Sequence, residues 1–176
     1  MRIAVSGAHR TGKTTLIEEL SRALPNYVMV DEPYHLLAEE GHELAATLDD
    51  FELQLERSIQ CVEDSEEDQL FDRCPADMLA YLIAHRDSAG FNVEVWLPRL
   101  ERAMRRLDLI VFVPIEHPDR VIFVSDPEDR ELRRRVDEEL RDILVDDRWG
   151  FGLEAIEVTG TLRERARQVL AQVKRR

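Results

Sequence analysis

The chain has 176 residues, 44% of them hydrophobic and 35% charged, which suits one globular domain, 1–176, with a substantial core. A net charge of −13 argues against a nucleic-acid partner, because no broad basic face accompanies it. The longest apolar run, Leu109 to Val113, is far too short to span a bilayer, so no membrane partner is expected. Cys61 and Cys74 offer neither a disulfide framework nor a metal-binding spacing, and are expected to be reduced thiols in a cytoplasmic protein.

Strand-like apolar runs alternate with helical periodicity along the whole chain. Arg2 to Ser6 reads as a short buried strand, and Thr15 to Leu24 as a helix with apolar residues on one face. Tyr27 to Val30 is a second strand, running into Asp31-Glu32-Pro33. A short helix is expected over Leu36 to His42, and a longer one from Phe51 to about Glu67, capped by Asp49 or Asp50. Asp68 to Asp72 forms a third strand. Pro75 then opens a helix over Ala76 to His85, and Asn92 caps another over Val93 to Arg106. Asp108 to Val113 is the clearest strand. A charged helix follows from about Pro127 to Leu144. Gly150-Phe151-Gly152 breaks the pattern before a last strand, Leu153 to Val158, and a last helix, Thr161 to Lys174. Strands separated by helices imply parallel pairing with right-handed crossovers, and ligands in such sheets bind beyond the carboxyl ends of the strands.

Four of the five strand ends carry residues suited to phosphoryl transfer. The first runs into Gly7-Ala8-His9-Arg10-Thr11-Gly12-Lys13-Thr14, a complete phosphate-binding loop that continues into a helix at Thr15. Gly7 and Gly12 permit turns closed to side chains, so backbone N–H groups converge on anionic oxygens. The helix adds its unpaired N–H groups and the positive end of its dipole. Lys13 reaches the β- and γ-phosphates, and the Thr14 hydroxyl completes a Mg²⁺ shell. A nucleoside triphosphate with Mg²⁺ is therefore the expected ligand. The loop starts at residue 7, which leaves no room for a signal peptide before it.

The second strand ends in Asp31-Glu32, one or both placed to take a proton from an acceptor hydroxyl. The third ends in Asp72-Arg73, an acid for Mg²⁺ or its waters beside a guanidinium for phosphate or substrate. The fifth ends in Thr159-Gly160-Thr161, a tight turn suited to the floor of a nucleobase site. The helix after the fourth strand packs Arg130, Arg133, Arg134 and Arg135 into six residues. Such a segment, about 116–140, is expected to close as a lid and stabilise charge on the transferring group, with Arg130 and Arg134 as its candidate residues. The competing reading is an exposed helix face with pairs such as Glu131 with Arg135 and Arg134 with Glu138. His35, His42, His85 and His117 have no partner spacing, and Trp96 and Trp149 read as packing anchors.

Taken together, these motifs make the chain similar to P-loop kinases of small molecules, the group containing deoxynucleoside, thymidylate and ribosylnicotinamide kinases. Glu32-Pro33 resembles the Glu-Pro of deoxynucleoside kinases, where the glutamate is the base. Asp72-Arg73-Cys74 is similar to their Glu-Arg-Ser and to the Asp-Arg of thymidylate kinases, with Asp in place of Glu. Gly160 to Arg165 resembles the turn that lies under adenine. Gly7 to Leu20 and Phe71 to Tyr81 resemble bacterial ATP-binding proteins near the ribosylnicotinamide kinases. The resemblance implies an α/β fold, a P-loop NTPase of three layers (α/β/α) with a five-stranded parallel sheet in the order 2-3-1-4-5 and a helical lid. It implies ATP and Mg²⁺ as cofactors and a nucleoside-like acceptor, in a monomer or homodimer. No matching set of residues for gripping a base stands out, although Tyr34, Gln54, Tyr81 and Trp96 are available. The alternative is a regulatory ATPase switch with no small acceptor. A GTPase is disfavoured, because the only lysines are Lys13 and Lys174 and neither sits in an Asn-Lys-x-Asp motif.

Overall fold

A computed structural model describes residues 1–85, 87–116 and 127–175. Five strands, β1 (Arg2–Ser6), β2 (Val28–Val30), β3 (Gln69–Asp72), β4 (Leu109–Phe112) and β5 (Ala155–Glu157), form one parallel sheet in the order β2-β3-β1-β4-β5. Ala4 is in register with Phe71 on one side and Ile110 on the other. The three inner strands are covered on both faces, which is why they read as unbroken apolar runs.

Alternation along each inner strand divides the core between the two faces. Ile3, Val5, Leu70, Leu109 and Val111 meet Leu16, Ile17 and Leu20 of α1 (Lys13–Ala23) and Val169 of α7 (Leu162–Val173). Ala4, Phe71, Ile110 and Phe112 face the opposite layer. That layer comprises α3 (Leu48–Glu63), α4 (Pro75–Ala84), α5 (Leu97–Met104) and α6 (Pro127–Leu144). Each fully buried Leu, Ile or Phe contributes about 1.5–3 kcal/mol, so the sheet is a firm base for the loops at its edge.

Several helix boundaries differ from expectation, and capping accounts for them. α2 (Pro33–Glu39) begins three residues before Leu36, because Pro33 occupies a first-turn position after an extended Glu32. Thr47, not Asp49, caps α3, and Asp50 returns the bond to the Thr47 N–H at 3.0 Å. α3 also stops at Glu63, short of Glu67. The helix expected over Val93 to Arg106 is split: Val93–Val95 forms a 3₁₀ turn capped by Asn92, and α5 starts afresh at Leu97 with Pro98 in its first turn. Residues 117–126 of the expected lid, with His117, lie outside the described residues.

Candidate functional site

Beyond the carboxyl end of β1, the chain turns at Gly7 (φ 153°) and Gly12 (φ 89°) and enters α1 at Lys13. A Cβ on Gly7 would stand 2.4 Å from the Val113 carbonyl oxygen, so glycine is required both by the turn and by the close approach of β4. Lys13 is 5% exposed, and its Nζ donates to the Ala8 carbonyl at 2.8 Å. Burial, followed by the neighbouring Arg73, lowers its pKa to about 7. Thr11 donates its hydroxyl to the same carbonyl at 3.0 Å. The loop is thus closed on itself, with Lys13 folded along it.

The Thr14 hydroxyl donates to Asp72 Oδ2 at 2.9 Å. Asp72 Oδ1 is buried and without a hydrogen-bond partner, and burial raises the carboxyl pKa. A hydroxyl beside a carboxylate with one oxygen open fits a Mg²⁺ site, since Mg²⁺ takes few protein ligands and completes its shell with water and phosphate. Among the described residues no group of three or more His, Cys, Asp or Glu side chains forms a denser cation site.

Arg73 connects three parts of the site. Its Nε donates to Glu32 Oε2 at 2.6 Å, and its Nη1 to the Gly7 carbonyl at 3.2 Å. Its guanidinium lies 5.5 Å from the centre of the Tyr81 ring. Burial opposes its charge, but Tyr81, Asp77 and Glu32 outweigh that and hold its pKa above the usual arginine value. Asp31 turns elsewhere: its Oδ1 accepts from the Glu32 N–H at 2.8 Å and lies 3.1 Å from His35 Nδ1. The bond to Asp31, against partial burial, raises the His35 pKa. The two acids are therefore different in kind, with Glu32 facing inward and Asp31 at the surface.

Two cavities flank the loop. One, of about 250 Å³, lies between the loop residues Arg10 to Gly12, the β4 end at Pro114 to Glu116, Arg133, and Gly160 with Leu162 and Arg165. Glu116 fixes this corner by accepting from the Gly160 N–H and pairing with Arg165 Nη2 at 3.1 Å. Arg165 Nη1 also donates to the Thr11 carbonyl at 2.7 Å. Thr15 lines this cavity, whereas Thr161 uses its side chain to cap α7 against Glu164. The other cavity, of about 330 Å³, is lined by Glu32, Tyr34, Phe51, Gln54, Arg73 and Tyr81 among others. Phe51 and Tyr81 stack there at 5.1 Å. Trp96 packs into the helical layer and is not part of that lining.

The arginine helix presents one inward residue. Arg130 is exposed, and Arg134 is exposed between Glu131 and Glu138. Arg133 is 4% exposed, and its Nε donates to the His9 carbonyl at 2.8 Å. The periodicity gives the reason: Arg133, Val136, Leu140 and Ile143 share the buried face of α6. That spacing was readable in the sequence. Asp77 was not, since an acid three residues into a helix reads as a cap. Here it is fully buried, accepting from the Gly7 N–H at 3.0 Å and the Cys74 N–H at 2.9 Å, with Arg73 Nη1 3.4 Å away.

The family model for the AAA domain (AAA_28) matches residues 2–165, and the chain belongs to that family. No curated protein sequence matches it significantly. In fold it is similar to a thymidylate kinase from Candida albicans at TM-score 0.66 and 16% identity, covering 98% of this chain and 90% of that one. It is similar to a deoxyadenosine kinase from M. mycoides with bound dATP at TM-score 0.70 and 13% identity, covering 99% of each chain. It is also similar to NadR in complex with NAD and AMP-PNP at TM-score 0.66 and 18% identity, covering 97% of this chain and 48% of that one. The fold is that of the P-loop kinases. Among the described residues no helix is long and apolar enough to cross a membrane.

Proposed function

We propose that this chain is an ATP-dependent kinase that transfers the γ-phosphoryl group to a hydroxyl of a nucleoside-like small metabolite in the cytoplasm. One observation carries the reading: a second cavity, with Glu32 held by Arg73 on its wall, lies against the phosphate loop. A nucleotide switch has no use for such a cavity or for a carboxylate inside it. The stacked Phe51–Tyr81 pair and the buried Gln54 suit a flat ring with a hydrogen-bonding edge.

In this mechanism the loop N–H groups and Lys13 cradle the β- and γ-phosphates. Mg²⁺, held by Thr14 and Asp72, neutralises charge on the bridging oxygens when bound. Glu32 takes the proton of the acceptor hydroxyl as that oxygen attacks the γ-phosphorus in line. Arg73 orients Glu32 and ties it to the loop at Gly7. Asp31 supports the turn through its bonds to the Glu32 N–H and His35. Arg133, rather than Arg130 or Arg134, is the arginine of α6 that serves the transferring group. The adenine occupies the smaller cavity beside Gly160. The test is to incubate the protein with Mg-ATP and a panel of nucleosides, nucleotides and vitamins while following ADP formation. Acceptor-dependent ADP release supports the kinase; release unchanged by every acceptor supports the regulatory ATPase.

A further inference from the structure

His9 is an imidazole set in the middle of a phosphate loop, and it is anchored from both sides. Its backbone N–H donates to the Tyr81 hydroxyl at 3.2 Å, and its ring Nδ1 lies 3.4 Å from that same oxygen. Its carbonyl accepts from Arg133 Nε. Tyr81 lines the larger cavity and Arg133 the smaller, so the His9 ring stands at their boundary. The groups that face it come from every neighbouring element: Tyr81 from α4, Arg73 after β3, Arg133 from α6, Lys13 from α1, and Arg10 from the loop itself. The carboxylates of the site act elsewhere, Asp77 and Glu32 on both Lys13 and Arg73, and Asp72 on Lys13.

We propose that His9 takes up one proton from solvent when the triphosphate binds, so that the loop supplies an additional cation at the boundary where the phosphoryl group crosses to its acceptor. This rests on the reading that the loop binds ATP. With the loop empty, burial and then the four cations bring the His9 pKa down to about 4, so the ring is neutral. A bound triphosphate places anionic oxygens among those same cations and reverses the sign of the field at the ring. One net negative charge about 5 Å away, at an effective dielectric constant of about 20, moves the titration midpoint by roughly two pH units. The bound ring then titrates above pH 6. The bond from Tyr81 fixes which face the charged ring presents, and the second ring nitrogen gains a proton to donate to a phosphate oxygen.

The sign follows from linkage. A group whose midpoint rises on binding makes binding tighter as pH falls through the bound midpoint, and has no effect well above it. With a bound midpoint of about 6.5, lowering pH from 7.5 to 5.5 tightens binding by about tenfold relative to a variant lacking the imidazole.

The experiment is a histidine-ring NMR titration of the full chain, empty and saturated with Mg–AMP-PNP, with His9 assigned from His9→Asn. Calorimetry of AMP-PNP binding at pH 5.5 in buffers of different ionisation enthalpy counts the protons taken up. The expected result is a His9 midpoint near 4 when empty and above 6 when loaded, and close to one proton more taken up by wild type than by His9→Asn. If AMP-PNP binds and the midpoint stays within half a unit of its empty value, the inference is overturned while the nucleotide reading stands. An empty-state midpoint near 6.5 overturns it as well. If AMP-PNP does not bind at all, the kinase reading fails, and the inference with it.

Discussion

Replacing Glu32 by Gln and Asp31 by Asn separates two carboxylates that are adjacent in sequence and differently placed. Glu32 bonds to the buried Arg73 at 2.6 Å and lines the larger cavity, with its side chain 23% exposed. Asp31 is 54% exposed and serves its own turn and His35. In Glu32→Gln the shape survives and Arg73 keeps its bond to the Gly7 carbonyl and its contact with Asp77. The cost in stability is therefore about 1 kcal/mol, the low end for a charged hydrogen bond open in part to water. The effect on chemistry is larger, because an amide cannot take the proton of the acceptor hydroxyl. Loss of a general base reduces transfer by roughly 10²–10⁴-fold. Asp31→Asn breaks only surface contacts worth up to about 1 kcal/mol, which bounds its effect on rate at about fivefold. The assay follows ADP formation with an acceptor found in the panel, and calorimetry of Mg-ATP binding checks that affinity stays within a few-fold. A larger loss from Asp31→Asn than from Glu32→Gln would refute the assignment of roles, and no loss from either would remove the acceptor-activating site altogether.

Lys13→Ala should fold, since Nζ is bonded only to a carbonyl of its own loop, yet lower turnover by several orders of magnitude through loss of the charge on the transferring group; near-normal turnover in a folded variant would exclude the loop from the mechanism. Gly7→Ala combines a φ of 153° with a 2.4 Å clash against the Val113 backbone, and should cost at least about 3 kcal/mol in urea unfolding; a change below about 1 kcal/mol would show that the loop and β4 are not in close approach. Arg133→Ala should weaken Mg-ATP binding by about tenfold or more, and Arg134→Ala by less than about twofold, as Arg134 is already held by Glu131 and Glu138. Calorimetry on the two variants checks this, and equal losses would overturn the choice of Arg133.

The inner sheet was legible because parallel strands covered on both faces leave a continuous apolar run that no helix of this chain imitates. The segments around Ile3, Leu70 and Ile110 could hardly be anything else. Alternation with helices then implied parallel pairing, and the likeness to P-loop kinases gave the order in which the strands lie. Helix ends were less legible, for a local reason. Whether Thr47 or Asp49 caps α3, or whether Val93 opens a full helix, is decided by single side-chain bonds that several neighbours are equally able to make. Pro98 was the visible warning in the second case.

At the site, the rule that ligands sit beyond strand ends brought Thr14, Asp72, Arg73 and Glu32 together before any coordinates did. These four lie on three adjacent strands, so their closeness follows from strand order alone. Residues contributed from helix faces escaped the rule. Arg133 is set apart from Arg130 and Arg134 only by sharing a face with Val136 and Leu140, a periodicity hidden by the density of charge around it. Asp77 carries no signal at all, because its partner Gly7 is 70 residues away and its local role as a helix cap is sufficient to explain it. Yet Asp77, Arg73 and Gly7 are the connection between the two cavities: the carboxylate holds the loop N–H, the guanidinium holds the loop carbonyl, and the same guanidinium holds Glu32. Any displacement of the loop on binding phosphate must therefore be felt at the carboxylate that faces the acceptor. Strand ends supply the reactive groups of this site, and buried helix residues set the distances between them.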